Sequence, residues 1–227
     1  MTTLLHLDSS ARPGSSANQQ FGSHTRRLTA RFVASWRAAH PHDTVIYRDL
    51  GTAPPRPVTG DWIHAAFTRP DQRLPWMHAV LQESDQLIDE LYAADLIVAG
   101  VPMYNFNVPA QFKAYIDNIV RVGRTFGFDR GRAGAPYWPL LEQHRKSCVI
   151  LSARGDYGYG AEQRIAHMNH VEPSIATALR YIGITDLHGA AVEFDEFGDA
   201  RLQASIAAAE SQVDRLAELL AARLRPD

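Results

Sequence analysis

Apolar residues gather in five short runs along the chain: Thr3–Leu7 (TLLHL), Thr44–Arg48 (TVIYR), Leu96–Val101 (LIVAGV), Ser147–Ser152 (SCVILS) and Gly189–Phe194 (GAAVEF). The third and fourth are almost continuously apolar, as strands of a parallel sheet covered on both faces should be. The segments between them carry the helical period. Leu28, Phe32 and Trp36 stand four apart, on one face of a helix that starts near Ser23 or His24. Leu202, Ile206, Ala209, Val213, Leu216 and Leu220 alternate steps of four and three and mark a long C-terminal amphipathic helix. Gln82–Ala93, Pro109–Val122 and Glu172–Tyr181 complete the helical segments, and Pro109 suits a first helical position.

This alternation of strand and helix points to a doubly wound α/β sheet rather than a bundle or a sandwich. Five strands favour the flavodoxin-like order 2-1-3-4-5, a parallel sheet with helices on both faces. Ligands of such sheets bind beyond the carboxyl ends of the strands, where the order reverses. Two stretches interrupt the pattern. Residues 51–76 are rich in proline, and residues 123–145 (GRTFGFDRGRAGAPYWPLLEQHR) carry glycines, prolines and aromatics. Loops of this length are usually functional or interface-forming. No repeat or low-complexity tract appears, so residues 1–227 are expected to form a single domain with these two excursions.

Charge narrows the partners. A formal net charge of −2 gives no basic surplus with which to bind a nucleic acid. The N-terminal MTTLLHLDSSARPG has too short an apolar run for a signal peptide, and no stretch reaches the roughly 20 apolar residues of a membrane helix. One cysteine, Cys148, allows neither an internal disulfide nor a cysteine-cluster metal site; it lies mid-strand, as a buried apolar residue would. A cytoplasmic enzyme or binding domain is the expectation.

Three segments carry candidate chemistry. After the first strand come Asp8-Ser9-Ser10, a loop rich in glycine and serine, and Ser23-His24-Thr25 opening a helix. Free N–H groups and the positive dipole end make such a start a phosphate cradle; equally, Ser23 or Thr25 is an ordinary helix cap. No P-loop and no Gly-x-Gly-x-x-Gly fingerprint is present, which suits a monophosphate held by neutral donors. After the third strand, Pro102-Met103-Tyr104-Asn105-Phe106 offers flat apolar surface beside amides, fit for a planar polar ring or simply for an inward-packed loop. After the fourth, Ala153-Arg154-Gly155-Asp156 leads into a glycine- and tyrosine-containing loop that is either a ring contact or plain surface. These three loops converge on one edge of a flavodoxin-like sheet.

On these residues the chain resembles the FMN-dependent NADH:quinone reductases and azoreductases. The likeness is sharpest at Met103-Tyr104-Asn105-Phe106 after Ala99-Gly100-Val101-Pro102. It continues through Lys113, Tyr115, Asp117, Gly123, Thr125 and Phe126, and includes Ser84–Leu91 and Gly183-Ile184-Thr185. The resemblance implies FMN as cofactor and NADH or NADPH as co-substrate. It places the FMN phosphate at Ser10 and at Ser23-His24-Thr25, because the Arg26–Trp36 run that follows keeps the family's register; the loop from Ala11 to Gly22 is then longer than the family's, with Ser15-Ser16 as the competing pair. It places the ring between Pro102–Phe106 and Ala153–Asp156, where Asp156 stands in place of a family glycine and brings a carboxylate near the flavin.

The activity so implied is ping-pong hydride transfer from nicotinamide to quinones or aromatic azo compounds, with no obligatory catalytic side chain. The family also implies a homodimer in which the partner completes the pocket, and the 123–145 excursion is the candidate to reach across. Arg121, Arg124, Arg130 and Arg132 are candidates for steering nicotinamide phosphates. His167 and His170 fit a helix-surface pair better than a metal site. An electron carrier of the flavodoxin type, or a flavin reductase recruited to a biosynthetic step, is the alternative; a carrier would be smaller and more acidic.

Overall fold

The computed structural model describes residues 1–224. In chain order its first elements are β1 (Thr3–Asp8), α1 (His24–Ala39), β2 (Thr44–Asp49), α2 (Gly60–Phe67), α3 (Pro75–Ala93) and β3 (Leu96–Pro102). Next come α4 (Ala110–Ile119), β4 (Phe126–Phe128), β5 (Tyr137–Pro139) and β6 (Ser147–Ala153). The chain closes with α5 (Glu172–Ile182), β7 (Asp186–Val192) and α6 (Ala200–Arg223). Five strands form one parallel sheet in the order β2-β1-β3-β6-β7, which is 2-1-3-4-5 once the separate β4–β5 hairpin is set aside.

Period-two alternation sorts the strand side chains. Leu4, Leu96, Val98, Val149 and Leu151 pack with Leu28, Phe32 and Trp36 of α1 and with Leu202, Ile206 and Val213 of α6. Their neighbours Leu5, Ile97, Ala99, Cys148 and Ile150 pack with Leu87 and Leu91 of α3, Ile116 of α4 and Leu179 of α5. Burial pushes the Cys148 thiol up to about 12, so it stays a protonated apolar residue.

The first four strands of the sheet, β1, β2, β3 and β6, run where the apolar runs lie. The fifth begins and ends earlier than expected. Its start holds Asp186, bonded to Ser147 and Arg223, and His188, so polar partners rather than apolar content define it. It cannot continue to Phe194, whose φ of +67° is left-handed. α3 opens earlier than expected, at Pro75, and Pro109 caps α4 rather than entering it. The 51–76 excursion is not one loop. Thr59 caps α2 through the Trp62 N–H, and Ala65 and Ala66 join Met77 and Leu81 in a small satellite core. The prolines flank this helix on both sides and so hide it. Residues 123–145 fold into the antiparallel β4–β5 ribbon.

Where β1, β3 and α1 meet, only glycine fits. A Cβ on Gly100 would stand 2.8 Å from Asp8 Oδ1 and 2.9 Å from Thr29 Cγ2, both buried. Gly100→Ala is expected to lower unfolding stability by about 1–3 kcal/mol. Urea titration of the two proteins checks this, and an unchanged midpoint contradicts the packing described.

Candidate functional site

Beyond the carboxyl ends of β1, β3 and β6 lies a cleft of about 170 Å³. Its walls include most of the residues expected from sequence: Ser10, Ser23 and His24, then Pro102, Met103 and Tyr104, then Ala153, Arg154 and Gly155. Ser10 ends the turn after β1 and is 2% exposed. Ser23 is the N-cap of α1, its hydroxyl accepting the Arg26 N–H at 3.2 Å. His24 and Thr25 open the helix, where the first N–H groups have no partner within it.

Thr25 is not on the cleft wall. It is fully buried, and its hydroxyl bonds Ser23 Oγ at 2.9 Å. Ser15 and Ser16 lie beside Ser23. Ser15 bridges to Ser23, Ser16 N–H donates to the Ser23 carbonyl, and Ser16 Oγ lies 2.9 Å from His24 Nδ1. The loop between them therefore leaves and returns at one point, with Phe21 exposed on it.

Asn105 and Phe106 stand outside the cleft. They are the two central residues of a tight turn closed by reciprocal hydrogen bonds between Tyr104 and Asn107, with φ of 47° and 70°. For residues that are not glycine this conformation is strained by about 1–3 kcal/mol each. The His170 N–H, bonded to the Phe106 carbonyl at 3.0 Å, holds the turn from the other side. As a result the N–H groups of Asn105 and Phe106 donate to no acceptor among the described residues, and neither does that of Gly155. A Cβ on Gly155 would lie 2.4 Å from Oε1 of the exposed Glu196 side chain, which would have to swing aside.

Asp156 also faces away. Its carboxylate pairs with Arg164 at 2.7 Å, which together with the Tyr157 N–H holds it below the usual carboxylate range. Arg154 is buried and bonds Ser152 Oγ and Glu172. Of the arginines expected to steer nicotinamide, Arg121 is buried against Ser84 and Asp85, and Arg124 is paired with Asp85 and Asp89. Both are committed to the scaffold, and Arg132 lies over the Trp138 ring. Among the described residues no group of three or more His, Cys, Asp or Glu is placed to hold a metal.

Three wall residues escaped sequence reasoning: Arg12, Asp195 and Glu196. The last two arrive on the loop after β7, where Asp195 N–H bonds the Arg154 carbonyl and Glu196 N–H the Gly155 carbonyl. The signal was available in principle, since every strand of such a sheet ends at this edge. Beneath the cleft, Arg26 of α1 is 7% exposed. It donates to the carbonyls of Ser10 at 2.9 Å and Arg12 at 3.0 Å and clasps Asp49 with both terminal nitrogens at 2.8 and 2.7 Å.

On the far side of Tyr104 a larger groove of about 1250 Å³ runs between α4 and α5. Asn105, Val108, Ile116, Val120, Ala178 and Tyr181 line it. The cleft is smaller than the roughly 300–1,000 Å³ of pockets that bury a whole drug-sized ligand. It suits a phosphate and a polar chain, leaving any planar ring along the Met103–Phe106 rim. Together the edge offers oriented N–H groups and buried hydroxyls for an anion, then apolar surface with unspent N–H donors for a ring.

Comparison with known proteins bears on family and fold. Residues 2–216 match a family described as having a flavodoxin-like fold. The chain is 39% identical over 220 residues to FMN-dependent NADH:quinone oxidoreductase 2 of Idiomarina loihiensis, covering 97% of this chain and 91% of that protein. It is 43% identical over 222 residues to FMN-dependent NADH:quinone oxidoreductase of Opitutus terrae, covering 98% and 100%. In fold it is similar to the crystal structure of an azoreductase from Bacillus anthracis, with a TM-score of 0.82, 24% identity and coverage of 96% and 100%.

Arg26 generates a stability prediction with a pH signature. Burial pushes the Asp49 carboxyl up, but the clasp of Arg26 outweighs it and leaves the group below its ordinary value. A depressed folded pKa stabilises fully above the unfolded value of about 4 and is lost as pH falls through the folded value. Arg26→Met is expected to cost about 3 kcal/mol at pH 7. The deficit should shrink as pH falls from 5 to 3. Thermal unfolding across that range checks it, and a deficit independent of pH would count against the pair.

Proposed function

The chain belongs to the flavodoxin-like family of FMN-dependent NADH:quinone oxidoreductases, and we propose that it uses FMN, held in the cleft and along its rim, to pass two electrons from NADH or NADPH to quinones or aromatic azo compounds. The observation that carries this reading is the convergence of Ser10, Ser23 and the α1 N-terminus with Met103-Tyr104 and Arg154-Gly155 around one cleft. The residues fit the cofactor: free helix N–H groups suit its monophosphate, and the unspent donors of Asn105, Phe106 and Gly155 suit the polar edge of its ring. When bound, FMN supplies the redox chemistry, accepting hydride from nicotinamide and returning two electrons to the acceptor.

The protein's share is placement and electrostatics. Ser10 and Ser23 present hydroxyls, and His24 and Thr25 present N–H groups, to the phosphate. Met103 and Tyr104 give the ring an apolar support. The N–H groups at 105, 106 and 155 are fixed before reaction, so they stabilise negative charge developing on the ring edge without reorganisation. Asp156 spends its charge on Arg164. No side chain has to take up a proton, and nicotinamide and acceptor take turns at one exposed face.

This reading also takes the chain as one domain, with α1 and α6 on one face of the sheet and α3, α4 and α5 on the other. The parity of strand residues in the two cores supports that arrangement. It further takes the working unit as a homodimer. Support comes from the α4–α5 groove, which is flanked by the β4–β5 ribbon and the half-exposed rings of Tyr137 and Tyr181.

Two outcomes are expected. The purified protein carries FMN, identified by chromatography after heat release, and its flavin absorbance bleaches in stopped flow with NADH or NADPH and returns on adding a quinone. Release of FAD, or a protein that takes up no FMN, overturns the assignment. Light scattering at micromolar concentration should give about twice 25.2 kDa. Thr177→Arg, which sets a charge in the groove without touching the core, should shift the protein toward monomer. A wild-type monomer with full activity contradicts the dimer.

A further inference from the structure

The phosphate end of the cleft holds a charge pattern that neutral donors do not explain. Asp195 Oδ1 stands 3.0 Å from His24 Nε2, and Asp195 Oδ2 stands 3.3 Å from the Arg12 guanidinium. All three residues line the cleft together with Ser10 and Ser23. The acid is brought there deliberately by the backbone. Phe194 takes a left-handed φ of +67°, and the N–H groups of Phe194, Asp195 and Glu196 pair with carbonyls of Asp156, Arg154 and Gly155. Its two partners differ in freedom. The His24 side chain is 10% exposed and pinned on its other nitrogen by Ser16, whereas that of Arg12 is 52% exposed and anchored only at its base. Ser10 adds an independent sign of an anion site. It is 2% exposed, accepts the Arg12 N–H at 3.2 Å, and its own O–H donates to nothing among the described residues.

Resting on the reading that this cleft receives the FMN phosphate, we infer that Arg12 is the phosphate's cationic partner and that Asp195, held in place by His24, competes with the phosphate for it. A carboxylate and a phosphate offer the same acceptor oxygens to a guanidinium. Bound phosphate takes Arg12 from Asp195, and the displaced carboxylate repels the dianion beside it. The lengthened loop after β1 thereby acquires a purpose: it supplies Arg12 at its start and Ser16, which orients His24, where it folds back. The site selects the phosphorylated flavin by charge, and its affinity is held in check by an anion of the protein's own.

The test is titration of the apo-protein with FMN and with riboflavin, which lacks the phosphate. Arg12→Ala is expected to weaken FMN by about fivefold, with riboflavin unchanged. Asp195→Asn is expected to tighten FMN by about threefold, again with riboflavin unchanged. Opposite signs confined to the phosphorylated ligand are what competition requires. Equal losses for both flavins in either variant, or weaker FMN binding in Asp195→Asn, make Asp195 a scaffold and overturn the inference. So does an Arg12→Ala protein that binds FMN as the parent does. Failure of the parent itself to bind FMN would instead remove the functional reading beneath it.

Discussion

The guanidinium of Arg26 gathers the carbonyls of Ser10 and Arg12, the carboxylate of Asp49 and the hydroxyl of Tyr47 around one buried charge. These acceptors belong to the turn after β1 and to β2, while Arg26 itself lies in the first turn of α1. A planar fork with fixed donors sets the angle between those segments in a way that apolar contact, which is not directional, does not. The cradle formed by Ser10, Ser23 and the helix start inherits its shape from that fork. A charge taken out of water is tolerated only where its hydrogen bonds are met. The same requirement that keeps Arg26 in the interior therefore keeps the turn above it in place.

A second constraint acts at Tyr104–Asn107. Two non-glycine residues in left-handed conformation persist because the surrounding bonds, including the one from His170, over-determine them. This turn separates the small polar cleft from the wide apolar groove and contributes residues to both. Cofactor contact and subunit contact, on the proposed reading, thus meet in one strained element.

The sheet was legible in sequence because inner parallel strands must be apolar on both faces, and β3 and β6 say so without interruption. β7 is an edge strand with polar partners, so its run of apolar residues marked only its second half. That misplacement had a consequence at the site. Extending the strand to Phe194 puts the turn too late and removes Asp195 and Glu196 from view, although the three other loops were placed at the right edge. Residues 51–76 hid a helix because prolines bracket it, and a proline outside a helix looks in composition like one that forbids it. Arg26 was unreadable for a different reason. Its acceptors are carbonyls and a carboxylate distant in sequence, and nothing local distinguishes it from Arg27 beside it.

The pinched loop between β1 and α1 bears on how such a chain tolerates change. Gly14, Ser15 and Ser16 pair with Ser23, so the segment from Ala17 to Gly22 closes on itself before α1 begins. Lengthening a closed loop costs only about 0.6 kcal/mol per doubling, and none of that displacement reaches the register of the helix. The tip is therefore a natural graft point. A foreign peptide spliced between Ala17 and Phe21 would be displayed beside the mouth of the cleft, with the cradle below left undisturbed.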